Sequence, residues 1–464
     1  MTERAPGRRR NRTPMAMCGI GCTYTVLLSM LVFAVIFATT GSYKVDIPPP
    51  KPLPAVNGFY DYVVAGQMLA ASGGTRRMYA SGGGRPILSV ERLVVSRNTA
   101  ALVRLRSAFG KQCRVPPARS WSLPLPYLAS CRELARLLSA QADVRGADGD
   151  WSGSFDAGVD AVHLGCDLER GGNTTHSMSG MAFQSIGQRP MERAIEHLEA
   201  SACGKLAERL QTILLSRQTQ REMYMEERNV SLTILQNEID ARFFMDPGTA
   251  EEQPNSFEMS ISRMHWHLLR DRTIREVEAY ANMTLREMSK PIPQRRTIPE
   301  PSSQLAGMLA PAAARFCLAY DRCDARNRII LVALAIRRFR LENGILPAKL
   351  DELELKTRLL RDPFSGAELV YQRGIDDYLL YSVGPDGKDD GGVPLDGNAD
   401  EWLRGDLGIR EFRSEAYKSK LHYGYDRVPH MKLPVLKKGA PPLGTYVPPI
   451  DDGASMGGGS MSAH

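Results

Sequence analysis

The run from Cys18 to Thr40 constrains this chain more than any other feature. It holds no charged residue and is dominated by Leu, Val, Ile, Phe, Ala and Met. As a helix rising about 1.5 Å per residue it spans ~34 Å, enough for the hydrocarbon core of a bilayer. Arg4, Arg8, Arg9, Arg10 and Arg12 precede it against one acid, Glu3. That excess keeps residues 1–17 in the cytoplasm and sends the bulk of the chain outside. A cleaved signal peptide would carry a shorter apolar stretch, about 7–15 residues, and a small-residue cleavage site. Ala38-Thr39-Thr40 is a poor one, and Cys18 and Cys22 open the apolar run where a lipoprotein cysteine would follow it. The expectation is a single-pass inner-membrane anchor at 18–40, with the remainder periplasmic.

Residues 41–55 carry Pro48-Pro49-Pro50-Lys51-Pro52, a polyproline-type stalk. Beyond it, 43% apolar and 24% charged residues in 464 suit a globular chain and exclude both wholesale disorder and a polytopic membrane protein. The balance of 59 basic to 52 acidic residues, +7, does not point to nucleic acid. Six cysteines lie outside the anchor region: Cys113, Cys131, Cys166, Cys203, Cys317 and Cys323. An oxidising compartment permits disulfides among them, and buried free thiols are the equal alternative. Cys317 and Cys323 within one helix would stand nearly two turns apart, too far to bridge.

From 56 to 303 the pattern is helical. Leu134, Leu137, Leu138 and Ala142 form the stripe of an amphipathic helix. Gly146–Asp150 is a turn, Trp151–Glu169 a second helix with Phe155, Val159, Val162, Leu164 and Cys166 inward, and Gly171-Gly172 a break before a third near Ser177–Ile186. Pro190–Gln236 and Phe257–Met288 read as further helix, Asp246–Ser256 as a loop, and Ile292–Ser303 as a Pro/Arg linker. The turn into Trp151 resembles one tetratricopeptide-like helix pair, without a repeat at that period. An irregular helical bundle or array follows. Asn173, Asn229 and Asn282 stand in glycosylation-type triplets.

Catalytic signatures are sparse. No His-Glu-x-x-His, Gly-x-Ser-x-Gly or phosphate loop occurs. His265 and His267 do not share a helix face. His163 or His197, paired with Asp160 or Glu196, would suit an extracytoplasmic hydrolase if a pocket brought them together; ordinary structural roles are the simpler expectation.

The clearest constellation is C-terminal, in 304–409. A helix with the apolar core Ile329–Ile336 ends at Asn343-Gly344, a C-cap, and Pro347 blocks its continuation. Leu350–Leu353 is a short turn or helix, and Asp362-Pro363-Phe364-Ser365-Gly366 a turn. Glu368–Arg373 and Asp377–Val383 then form a β-hairpin that runs into Gly384-Pro385-Asp386-Gly387-Lys388-Asp389-Asp390-Gly391-Gly392. With Tyr371 and Tyr378-Leu-Leu-Tyr381, this order resembles the C-terminal half of the major pseudopilin of type II secretion systems. The resemblance implies a small α+β module whose glycine- and acid-rich loop binds Ca2+. Asp386, Asp389 and Asp390 would supply carboxylates, and Ser382 and Val383 carbonyls, as a hard cation requires; Asp396 and Asp400 are further candidates. Without an ion the same loop is a solvated acidic turn. A pseudopilin has a peptidase site just before its anchor helix and a glutamate within it; here neither the Phe of that site nor a membrane Glu is present. The whole chain also resembles large membrane-anchored proteins of planctomycete-type bacteria, which carry no established activity to transfer.

The expected architecture is therefore mainly α: a transmembrane helix, a helical bundle, a pseudopilin-like module and, from 410 to 464, a Pro/Gly-rich tail. The expected role is a non-enzymatic scaffold that binds a protein partner in the envelope or a secretion complex, with the hydrolase as the alternative.

Overall fold

The computed structural model describes residues 27–32, 34–35, 43–71, 87–120, 124–237, 256–290, 292–303, 306–307, 313–392 and 406–408. The chain is mainly helical, with one small sheet. The helices are α1 (Phe59–Ala71), α2 (Leu88–Arg97), α3 (Thr99–Arg106), α4 (Pro126–Ala147), α5 (Trp151–Glu169), α6 (Thr174–Ala194), α7 (Ala200–Leu215), α8 (Gln220–Asn237), α9 (Ser256–Met288), α10 (Ala313–Asn343) and α11 (Thr357–Leu360). Strands β1 (Val370–Arg373), β2 (Tyr378–Ser382) and β3 (Leu407–Gly408) follow.

By internal contacts the described residues form two compact units. The smaller draws on Met1–Pro48, Ser231–Tyr280 and Glu300–Ala310, and the larger on the rest. In the smaller unit the chain after the anchor region is fixed. The Tyr43 hydroxyl donates to Glu278 at 2.8 Å, its amide donates to Asp271 at 3.1 Å, and its ring lies 3.9 Å from the Arg275 guanidinium. The Val45 amide donates to Gln236 Oε1 at 2.6 Å. The expected stalk thus begins with docked residues; residues 46–50 carry no regular secondary structure.

Most of the expected anchor, like the loop at 246–255, Cys18 and Cys22, Asp396 and Asp400, and the tail from 410, lies outside the described residues. Within the anchor, 27–32 and 34–35 are helical and every one is exposed, the large apolar side chains by 50–65%. Among the described residues no helix is long and apolar enough to cross a membrane.

The larger unit is built around α5. The Asp150 carboxylate caps its start by accepting the Gly153 amide at 2.8 Å. Gly171, at φ 80°, turns the chain after its end, a conformation that glycine adopts without steric cost. One side of α5 (Ala161, Leu164, Leu168) packs with Tyr62, Leu102, Leu105, Leu134, Leu138 and Phe183. The other (Phe155, Val159, Val162) packs with Leu206, Leu210 and all of Ile329–Ile336. That second core continues to Leu350, Leu360 and Leu380, so α7, α10 and the C-terminal module share it.

Against α6, α5 approaches to backbone contact. A β-carbon on Gly165 would stand 2.4 Å from the Gly180 carbonyl oxygen, and one on Gly158 would stand 2.7 Å from that of Gly187. The reciprocal distances are 2.5 Å from Gly180 to the Gly165 oxygen and 2.4 Å from Gly187 to the Gly158 oxygen. Two glycine pairs, each spaced by a heptad along its helix, let these two antiparallel helices touch.

Several expected boundaries move. The third helix begins earlier, at Thr174, because Asn173 caps it, and runs on to Ala194. Pro190, read as opening the next helical stretch, sits inside α6. Its ring forfeits one backbone hydrogen bond there without ending the helix. Gly344 closes α10 at φ 73°, its amide donating to the Arg340 carbonyl at 2.9 Å. The hairpin pairs Val370 with Tyr381 and Arg373 with Tyr378. The unforeseen β3 adds a third antiparallel strand, with Leu407 opposite Ser382.

Candidate functional site

The acidic loop after β2 was expected to gather ligands. Ser382 and Val383 are buried and serve a different carboxylate: the Ser382 hydroxyl donates to Asp362 Oδ1 at 2.7 Å and the Val383 amide to Asp362 Oδ2 at 3.0 Å. Phe364 and Ser365 also donate to buried Asp362, so one side chain ties the turn before β1 to the end of β2. Asp386 accepts its own loop's Lys388 amide at 3.2 Å. Asp389 accepts the Tyr381 hydroxyl at 2.6 Å and the Gly391 amide at 2.9 Å. Asp390 is exposed, and its amide donates to Asp406 at 3.5 Å.

Asp406, 2% exposed, is the carboxylate that sequence reading missed; it also accepts the Gly392 amide at 2.6 Å. Burial pushes its carboxyl up to about 7, Asp389 and Asp390 add to the rise, and the two amides oppose it. The donors are all oxygen, which suits calcium chemically. Among the described residues no three His, Cys, Asp or Glu side chains converge as a metal site.

Replacing Asp362 by alanine strands the buried Val383 amide and Ser382 hydroxyl. The expected cost is about 3 kcal/mol within the module, roughly a hundredfold faster hydrogen exchange at Val383 and Phe364. Amides of α4 and α5 should exchange as in the wild type; unchanged exchange at Val383 would contradict this role.

In the helical part, polar groups are spent on packing. Along α5, Asp156, Asp160, His163 and Asp167 follow one face. Arg209 pairs with Asp156 and Asp160, and Arg106 holds Asp160 at 2.7 Å and Gln141 at 2.6 Å. Asp167 takes the Tyr62 hydroxyl at 2.6 Å and Arg170 at 2.7 Å. Burial raises Asp167 to about 6 against the pull of Arg170 and Tyr62. His163 stacks on Phe109 with centroids 4.3 Å apart, and its Nε2 stands 3.8 Å from Asp167. Its Nδ1 is buried without a hydrogen bond among the described residues.

At the end of α5, buried Glu169 meets Arg217 through two bonds of 2.8 and 2.9 Å. Gln184 donates to Glu169 at 2.7 Å, Asn327 to Gln184 at 2.8 Å, and Gln188 to Asn327 at 2.9 Å. The Arg217 guanidinium lies 4.1 Å from the Tyr320 ring. This chain of bonds joins α5, α6 and α10.

The candidate histidines pack against aromatic and polar neighbours. Besides enclosed His163, His197 stacks on Trp151 at 3.9 Å, and His176 bonds Asn173 at 2.7 Å and Tyr127. The six cysteines at 113–323 are free thiols, Cys317 half-buried and the rest buried. Cys317 and Cys323 both lie in unbroken α10. Burial pushes Cys131 and Cys323 up to about 12, so they are unreactive thiols near neutrality.

Burial, with Arg209 and Arg170 adding, pulls His163 down to about 3. The imidazole is therefore neutral in the fold and protonates first in the unfolded chain. Its contribution to stability is present above the ordinary value near 6.5 and is lost as pH falls. Between pH 7 and pH 5 that loss is about 2 kcal/mol. Urea unfolding of His163→Gln should lack this component, so the wild type loses that much stability relative to the variant over the interval. Parallel pH profiles would contradict it.

Set against protein-family models, curated proteins and solved structures, the chain matches none.

Proposed function

We propose that this is a membrane-anchored extracytoplasmic scaffold. Its helical body offers a surface to a protein partner of the envelope or a secretion complex, and calcium stiffens its pseudopilin-like module. The observation that carries the reading is the helix described at 27–32 and 34–35. Its described residues are exposed although Leu27, Leu28, Met30, Leu31, Val32 and Val35 are apolar, which a bilayer accommodates and water does not. The basic residues before it orient it with the N-terminus in the cytoplasm. The scaffold role draws support from the α5 face and the Glu169–Arg217 chain, where ionisable groups brace helices against one another. Support for calcium is chemical. Burial, and after it the like charge of Asp389 and Asp390, pushes up buried Asp406 beside a glycine-rich turn, and a divalent cation would relieve that while drawing in Asp386.

Calcium titrated calorimetrically into the chelator-treated full chain should bind saturably. Asp386→Ala and Asp389→Ala should each weaken binding at least about tenfold. Absence of heat from a folded wild-type chain would reduce the loop to a solvated turn and leave the anchor and scaffold without a metal.

A further inference from the structure

Within the larger unit, α8 and α9 enclose a cleft of about 530 Å³ whose lining includes three arginines and no acid. Arg221 and Arg228 stand seven residues apart on α8, hence on one face about 10 Å along it; Arg286 comes from α9. Arg228 and Leu285 are buried, while Arg221 and Arg286 are exposed. Asn282 and Ser289 add an amide and a hydroxyl to the lining.

Nearby acids in sequence are engaged elsewhere, and buried Arg228 donates from Nη1 to Asn229 Oδ1 at 3.2 Å. Glu222 accepts the Thr219 amide and hydroxyl, at 3.0 and 2.8 Å. Glu226 takes Arg119 through two bonds of 2.8 and 2.9 Å. Glu227 takes the Thr174 amide and hydroxyl, at 2.9 and 2.7 Å. Glu287 takes Lys290 at 2.6 Å and the Arg296 amide at 2.8 Å. Arg221 and Arg286 form no ion pair with any described residue. Guanidinium groups pair in planar, bidentate fashion with phosphoryl oxygens. The cleft volume suits a small organic molecule more than a lone ion.

The geometry points to a binding site for a compound carrying at least two phosphoryl charges, held by Arg221 and Arg286, with Arg228, Asn282 and Ser289 lining the cleft. The phosphoryl group is soluble or belongs to a lipid headgroup, and the test separates these sources. The purified full chain in detergent is titrated with inorganic pyrophosphate and, separately, with a short-chain, water-soluble phosphatidic acid. Saturable binding is expected. The double substitution Arg221→Gln/Arg286→Gln changes only exposed side chains, so its thermal melt should match the wild type while affinity falls at least about tenfold. Tighter Arg-dependent binding of pyrophosphate assigns a soluble ligand; tighter Arg-dependent binding of the phosphatidic acid assigns a headgroup. No saturable binding of either probe, or equal affinity in the folded double variant, overturns the proposal.

Discussion

Gly165→Ala should destabilise the chain by about 3 kcal/mol, and Gly165→Leu should prevent folding. The new β-carbon would lie 2.4 Å from the Gly180 carbonyl oxygen and 2.7 Å from Gln184 Cγ. The first neighbour is backbone and cannot rotate away, so α5 and α6 must separate. Overpacking of this kind costs about 1–3 kcal/mol where side chains yield, and more where they cannot. Alanine's helix propensity returns about 1 kcal/mol. Displacing Gln184 also strips Glu169 of a donor and propagates to Asn327. Gly180→Ala meets the mirror-image contact, 2.5 Å from the Gly165 oxygen, and should behave alike. Gly110 is the control, because a β-carbon there meets nothing within 4 Å. Urea unfolding of the three variants decides it: equal midpoints for Gly165→Ala and Gly110→Ala would remove the glycine contact from the account.

Arg217→Met should cost about 3–5 kcal/mol at neutral pH. Methionine fills much of the volume but leaves the fully buried Glu169 carboxylate without its countercharge. Burial already pushes Glu169 above the usual carboxylate range, and Arg217 is the chief group holding it down. Removing Arg217 lets that rise run unopposed. A carboxyl whose value is raised by folding contributes most when protonated and loses that contribution as pH rises. The defect should therefore be largest at pH 8 and shrink toward pH 5. Adding Glu169→Gln removes the stranded charge, so the double variant should recover most of the loss. Arg217→Lys should not rescue, since one ammonium cannot replace two parallel bonds and the stacking on Tyr320. A single variant no less stable than the double variant would show that the pair is not the brace described.

Much of this fold was legible in the residues because local chemistry decided it. Asp150 and Gly171 bound α5, Leu134 to Ala142 mark the inward face of α4, and Gly344 with Pro347 ends α10. Other features answer to partners distant in sequence. Asn173 reads as a glycosylation triplet until Thr174–Ser177 is seen to be helical, when it becomes a cap. Glycines inside helices read as weak points, and only the shared heptad spacing of Gly158/Gly165 and Gly180/Gly187 could have suggested a contact. β3 is two residues long, below any alternation signal. At the acidic loop the chosen carboxylates are present, but the buried ones, Asp362 and Asp406, lie outside the Asp386–Asp390 cluster and carry no motif of their own. Arg221 and Arg286 of the α8–α9 cleft look like ordinary solvated charges until their acidic neighbours are seen to be engaged.

Anchoring is the claim on which the rest depends, and cell fractionation tests it most directly. The full chain, tagged at its N-terminus, should stay in the membrane pellet through alkaline carbonate. Protease added to spheroplasts should remove everything beyond the anchor and leave a small tagged fragment protected inside. Deleting residues 18–40 should release the chain from the pellet. A full chain found in the carbonate supernatant, or one fully protected from external protease, would contradict a single-pass anchor with an extracytoplasmic body.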